Sequence, residues 1–193
     1  NHRRDIMDKE IAAFIEKTVK EQMDTLVDRK VKEAIEAEGE QNRAAFVASK
    51  GTMDMAYVPL LLAASCAAMD IEASIFFTFY GLDIINKKKN KNLKVPPLAN
   101  PAMPMPVPNI IGVLPGMTAM ATMMMKKWMK DQNVSTIPEF LDICVESDVK
   151  LIGCQMTMDV MGVKREDLMD EIEVGGAATF LEIASRSNIT LFV

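Results

Sequence analysis

Three cysteines stand out for the chemistry a thiol can perform, and one occupies a useful place. Cys154 closes KLIGC (150–154), which reads as a short strand, and directly precedes 155–161, which reads as a short helix ending at Gly162. Open α/β sheets bind ligands outside the carboxyl ends of their strands. A thiol at a helix amino terminus also meets exposed N–H groups and the positive end of the helix dipole, which favours the thiolate without a histidine. The expectation is a nucleophilic sulfur facing a pocket or a group of amides. The competing reading is a small apolar residue that finishes a strand, inert because it is sealed in hydrocarbon. Cys66, within LLLAASCAAM, reads as a core helix residue. Cys144, within EFLDICVES, reads as core too, with a resolving thiol for Cys154 as the alternative. That alternative requires Cα atoms within about 7 Å of each other.

Further residues fall where they can line such a site. Thr78 and Tyr80 lie at the end of a second strand, Gln155 follows the thiol, and Gly175-Gly176 form a loop-to-helix junction whose backbone N–H groups suit an anion. Asp159, Glu166, Asp167 and Asp170 read as a solvated face rather than an acid–base pair. Met120, Met123, Met124 and Met125 read as helical packing, with a soft ion such as Cu(I) as the alternative. His2 is the single histidine, which leaves no histidine triad and no His/Cys zinc cluster. Neither GxGxxG nor GxxxxGK[ST] occurs, so a dinucleotide or nucleoside triphosphate has no support. No metal and no cofactor are expected.

The composition narrows the classes further. Lys and Arg total 22 against 27 Asp and Glu, a net charge of −5, which offers no general attraction for nucleic acid. An odd number of widely spaced cysteines is no disulfide scaffold and suits a reducing cytoplasm. With 49% apolar and 25% charged residues the chain is globular, and most of its 17 methionines fall between 53 and 129, an adaptable interior or binding surface. The first forty residues lack the continuous apolar centre of an export signal. The most hydrophobic stretch, 57–69, falls short of the roughly 18–20 residues that cross a bilayer, so no stable membrane span is expected.

These residues need a scaffold. Residues 5–38 contain no Gly or Pro and repeat apolar positions every three to five residues, an amphipathic helix about 50 Å long if unbroken. It either folds back as a hairpin along the domain or forms an arm that packs on another subunit. A strand at 43–49, a turn at 50–52, a helix at 53–69 and a strand at 71–79 predict a parallel sheet covered on both faces. Short helical pieces at 82–86 and 164–169, helices at 116–130, 138–147 and 177–187, a turn at 173–176 and a closing strand at 189–193 complete the reading. Residues 87–94 read as a basic solvated loop. Residues 95–115 hold seven of the nine prolines together with apolar side chains, a packed loop that serves as a lid or a subunit contact. The chain therefore divides into an N-terminal helical arm (1–42) and an α/β domain (43–193) with a Pro/Met-rich insert at about 95–115.

The segment CQMTMDVMGVKREDL (154–168), with IFFTFYGL (75–82), PGMTAMAT (115–122) and VGGAATFLEIA (174–184), resembles the DsrE/DsrF-like sulfur-relay family, in its stand-alone, Met-rich branch often labelled peroxiredoxin-like. The similarity covers roughly 43–193. It implies a flavodoxin-like three-layer sandwich with a mainly parallel sheet, a cytoplasmic location and homo-oligomers such as trimers or hexamers. It further implies that Cys154 carries sulfur as a persulfide or thiosulfonate, in a sulfurtransferase or sulfur carrier, and passes it to a small TusA-like carrier protein. The alternatives are a non-enzymatic oligomeric scaffold and a thiol–disulfide redox protein.

Overall fold

The computed structural model describes residues 17–32, 42–96 and 116–193. The chain divides into two units, Asn1–Gln41 and Asn42–Val193. In the first, residues 17–32 are helical, and Val19, Met23, Leu26, Val27 and Val31 are exposed along that helix. The rest of the expected helix over 5–38, and the proline-rich stretch from 97 to 115, lie outside the described residues.

The second unit is built on five parallel strands: β1 (Arg43–Ala48), β2 (Glu72–Phe77), β3 (Lys150–Cys154), β4 (Glu173–Gly175) and β5 (Ile189–Phe192), in the order β4-β3-β2-β1-β5. The central three are nearly continuous apolar runs, as strands buried on both faces must be. Alternate side chains sort to the two faces. Ala44, Phe46, Ile75, Phe77 and Leu151 enter the main core, while Ala45, Phe76, Ile152 and Cys154 enter a smaller one. Helices α1 (Met53–Ala67) and α3 (Ile137–Glu146) cover the main-core face, and α2 (Met117–Asp131) adds Met125 and Met129 to it. Tyr57 of α1 meets Phe140 of α3 edge to face, with centroids 5.9 Å apart. A capping box starts α3: the Thr136 N–H donates to Glu139 Oε2 at 2.6 Å, and the Glu139 N–H donates to Thr136 Oγ1 at 3.4 Å. On the other face, α5 (Ala177–Ala184) contributes Phe180 to the smaller core. The short helix α4 (Gln155–Met161) follows β3 without a break.

The α/β architecture with a parallel sheet is as expected, and several local readings need correction. Residues 173–175, read as part of a turn, form β4 and pair with Ile152–Cys154. Arg165 makes this possible by donating to the carbonyls of Met169, Asp170 and Ile172, each at 2.8 Å, which fixes the approach to the strand. The helical pieces at 82–86 and 164–169 are instead 3₁₀ turns at Phe79–Asp83 and Arg165–Asp167. The basic loop 87–94 is not simply solvated. Asn90 and Leu93 are buried, and Lys87, Lys88 and Lys89 pair with Asp170, Asp167 and Asp83 at 2.7, 3.1 and 2.6 Å. In α2, Met120 and Met123 stand exposed rather than packed.

Candidate functional site

The carboxyl ends of β2, β3 and β4 lie side by side, with neighbouring strands roughly 4.8 Å apart. Thr78 and Tyr80 follow β2, Cys154 ends β3 and Gln155 follows it, and Gly175 ends β4 with Gly176 next. All six residues expected to form a site are therefore gathered on one edge of the sheet. Cys154 and Gly175 are direct register partners. Gly175 is held closely: a Cβ there would meet Ile152 Cγ2 and the Thr179 side chain at 3.2 Å. At Gly176 the same position is open. Gly176 is the N-cap of α5 and has no capping side chain, so α5 begins at Ala177, two residues beyond the partner of Cys154.

Cys154 is 4% exposed and packs among Ala45, Phe76, Ile152 and Phe180, with Val47, Ile183 and Ala184 around them, instead of facing a pocket as expected. The Phe76 and Phe180 rings stack with centroids 5.0 Å apart and planes at 18°. Cys154 is the N-cap of α4 but makes no capping hydrogen bond through its sulfur. An open cavity of about 510 Å³ lies elsewhere, lined by Gly51, Thr52, Lys88, Lys89, Lys94 and Thr118 among others; Cys154 does not border it.

The other two thiols belong to the opposite face. Cys144 is 0% exposed in the main core, its Sγ donates to the Leu60 carbonyl at 3.7 Å, and burial pushes its pKa up to about 11. Burial also raises the Cys66 thiol. Both sit in the last turn of helices that run back from the carboxyl edge, so the sheet separates them from the Cys154 sulfur. All three are free thiols.

Two residues that the sequence reading passed over complete the edge. Thr157, in the first turn of α4, is 1% exposed and shares a 3.1 Å hydrogen bond with the Thr78 hydroxyl. Its Oγ1 also accepts from the Phe79 N–H at 3.2 Å. Phe79 has φ +47°, an unusual backbone for an aromatic residue, and its ring is exposed beside Tyr80, which is 65% exposed. A lone threonine in a Met-rich helix carries no sequence signal of this kind. Gln155 points along α4, donating to Asp159 Oδ1 at 2.8 Å.

Comparison with known proteins identifies the family. The model of the DsrE/DsrF/DrsH-like family matches residues 40–192. The chain belongs to that family. Among DsrE/DsrF/DrsH-like relatives, the sulfur carrier protein DsrE2 of Allochromatium vinosum is 44% identical over 160 residues, covering 80% of this chain and 99% of its own length. The uncharacterized protein YrkE of Bacillus subtilis is 30% identical over 154 residues, 78% of this chain and 96% of that one. The crystal structure of the ychN protein from E. coli aligns with a TM-score of 0.46 at 11% identity, over 79% of this chain and 99% of the other. Among the described residues of this family member, no helix is long and apolar enough to cross a membrane.

Proposed function

We propose that this DsrE/DsrF/DrsH-like protein is a sulfur carrier, with sulfurtransferase activity in the loading step, and that Cys154 holds the transferable sulfur. The observation that carries the reading is positional: of three thiols, Cys154 alone lies at the carboxyl edge of the sheet, register-paired with Gly175, which precedes α5 by two residues. The 44% identity to a protein named a sulfur carrier supports it. In the loading step the Cys154 thiolate attacks the outer sulfur of a donor persulfide R–S–SH. A new S–S bond forms to Cys154, the donor S–S bond breaks, R–S⁻ leaves, and the outer sulfur keeps its proton. With tetrathionate the thiolate attacks a central sulfur, thiosulfate leaves and Cys154 carries a thiosulfonate. Neither exchange needs an outside oxidant or reductant. Unloading repeats the first step with the thiolate of a small TusA-like carrier as attacker. Thr78, Tyr80, Gln155 and the Gly175-Gly176 backbone line the path, and a cytoplasmic homo-oligomer, trimeric or hexameric, is part of the same reading.

Intact-mass measurement after incubation with polysulfide or tetrathionate tests it. A gain of about 32 or about 112 Da, lost in Cys154→Ser and retained in Cys144→Ser, is the expected result. No gain, or a gain that survives Cys154→Ser, removes the proposal. One observation favours a second reading: a cysteine residue only 4% exposed among apolar side chains suits an inert thiol in an oligomeric scaffold. Iodoacetamide at about pH 6–7 separates the two, because an ordinary buried cysteine, roughly two units below the reference thiol pKa of about 8.5, is alkylated slowly there. A redox pair of Cys144 with Cys154 is disfavoured by their placement in cores on opposite faces of the sheet.

A further inference from the structure

The N-cap position of a helix ordinarily carries a side chain that accepts from the second or third helical N–H and so fixes the first turn. In α4 that position is taken by Cys154, whose sulfur makes no such bond. The turn is instead tied from its other side. Thr157, three residues beyond the thiol, sends its hydroxyl into the protein interior to the end of β2, where Oγ1 meets the Thr78 hydroxyl at 3.1 Å and accepts from the Phe79 N–H at 3.2 Å. Thr157 is almost wholly buried, and Thr78 nearly so. The neighbouring residue on α4, Met158, packs in the main core, so α4 is held by one apolar anchor and one polar one.

The Phe79 N–H is the donor that makes this tie specific. Phe79 adopts a left-handed backbone, φ +47°, which is strained for an L-residue and persists only where surrounding contacts hold it. That conformation turns the chain from β2 into the 3₁₀ segment Phe79–Asp83 and leaves the Phe79 and Tyr80 rings exposed on the edge that carries Cys154. Loss of the Thr157 hydroxyl leaves the Phe79 N–H and the Thr78 hydroxyl without this partner, and the strained turn without its tie.

We infer that Thr157, acting with Thr78, is the positioning residue of the site: it takes over the role that a capping side chain would play and so fixes the backbone from which the Cys154 sulfur projects. The inference rests on the reading of Cys154 as the sulfur-bearing atom. Thr157 touches neither donor nor acceptor; it sets where the thiol stands relative to Gly175 and the amino end of α5. Displacing a reacting atom by about 1 Å is enough to cost one to two orders of magnitude in rate.

The test measures the rate of polysulfide loading on Cys154 by intact mass in the full chain, for the wild type and for Thr157→Val, Thr157→Ser, Thr78→Val and Thr136→Ala. Valine keeps the shape of threonine and removes the hydroxyl, whereas serine keeps the hydroxyl. The expected result is loading about tenfold slower in Thr157→Val, restored to within about twofold in Thr157→Ser, and slowed in Thr78→Val. Thr136→Ala, which weakens the remote α3 cap, loads as the wild type does. Wild-type rates in Thr157→Val, an equal loss in Thr157→Ser, or an equal slowing in Thr136→Ala overturns the positioning role. Where Thr157→Val does not fold, Thr78→Val decides: its loading at the wild-type rate also overturns it. Failure of the wild type to load at Cys154 is a separate result, which removes the sulfur-carrier reading itself.

Discussion

Replacing Phe180 by alanine asks whether α5 is the lid over Cys154. The Phe180 ring is buried, stacks on Phe76 at 5.0 Å and belongs to the small cluster that holds the thiol. Phe→Ala in a packed core costs about 3–5 kcal/mol, of which an aromatic pair accounts for roughly 0.5–1.5. The lower end applies here, about 3 kcal/mol, because the smaller core has few members and can relax. If that loss falls on a local movement of α5, the open population rises by up to about 150-fold, since each 1.4 kcal/mol is a factor of ten. Alkylation of Cys154 then accelerates by a comparable factor. Cys144, in the main core on the opposite face, is the internal reference for opening of the whole domain. Iodoacetamide labelling in low urea, resolved by peptide mass, separates the two events, because local opening exposes little surface and responds weakly to urea. The expected result is fast, urea-insensitive labelling of Cys154 and slow, urea-dependent labelling of Cys144. Rates for the two thiols that rise together across the urea series refute the lid, as does a wild-type Cys154 that labels like a free thiol.

Alkaline pH acts on the other core. The Cys144 pKa, raised by burial from the ordinary 9.0 to about 11, means that between these values the folded state keeps a proton the unfolded state has lost. The stability it contributes is complete below pH 9 and is lost as pH climbs through 11, a total of about 3 kcal/mol. Urea unfolding of Cys144→Ala should show a shallower decline over that window, and an unchanged decline contradicts the assignment. Thr136→Ala removes half of the α3 capping box and should lower stability by about 1 kcal/mol in the same assay. Glu139, held below the usual carboxylate range chiefly by the backbone hydrogen bond from Thr136, keeps that donor in the variant; its titration by NMR should rise only by the part due to the lost Thr136 hydroxyl. Gly81→Ala drives a Cβ into the Ala48 carbonyl where the 3₁₀ segment crosses the end of β1, and should cost at least about 2 kcal/mol or prevent folding. Wild-type stability there is incompatible with the close approach of these two segments.

The strands β1, β2 and β3 were legible because burial on both faces demands unbroken apolar runs, and RAAFVA, EASIFF and KLIGC are such runs bounded by polar or turn residues. The placement of Cys154 followed from the same logic, since a strand handing over to a helix needs no tertiary knowledge. β4 was not legible. Its three residues, EVG, are followed by a second glycine and look like a turn; they become a strand only because β3 offers an open edge and Arg165 gathers the preceding carbonyls. Thr157 was hidden for a related reason. Its partner Thr78 stands 79 positions away, and nothing local in QMTMDVM tells a buried hydroxyl from a solvated one. The burial of Cys154 was equally invisible, because it is fixed by Phe180 from α5, an element whose packing face a short sequence does not declare.

The unequal covering of the sheet bears on how a carrier of this form would work. On the main-core face α1 and α3 pack broadly, and their thiols are raised by burial and held in the interior. On the other face, among the described residues, the core is a handful of side chains beneath one eight-residue helix, and β5 at its margin exposes Ile189, Leu191 and Phe192. On the proposed reading, a sulfur bound on Cys154 would sit in the smaller of the two cores, beneath Phe180 of α5. If α5 acts as a lid, a persulfide there would be shielded while α5 is down and would meet an acceptor thiolate when α5 lifts. Burial of the resting thiol and transfer from it would then be two positions of one helix, and the rate of sulfur release should scale with the open population of α5 for every acceptor. Transfer to acceptor thiols of different pKa, in the wild type and in Phe180→Ala, tests this: a rise by a common factor across the series in Phe180→Ala, with the Brønsted slope near 0.4–0.5 unchanged, fits a lid that opens and closes faster than attack, whereas wild-type rates in Phe180→Ala mean that α5 does not control access.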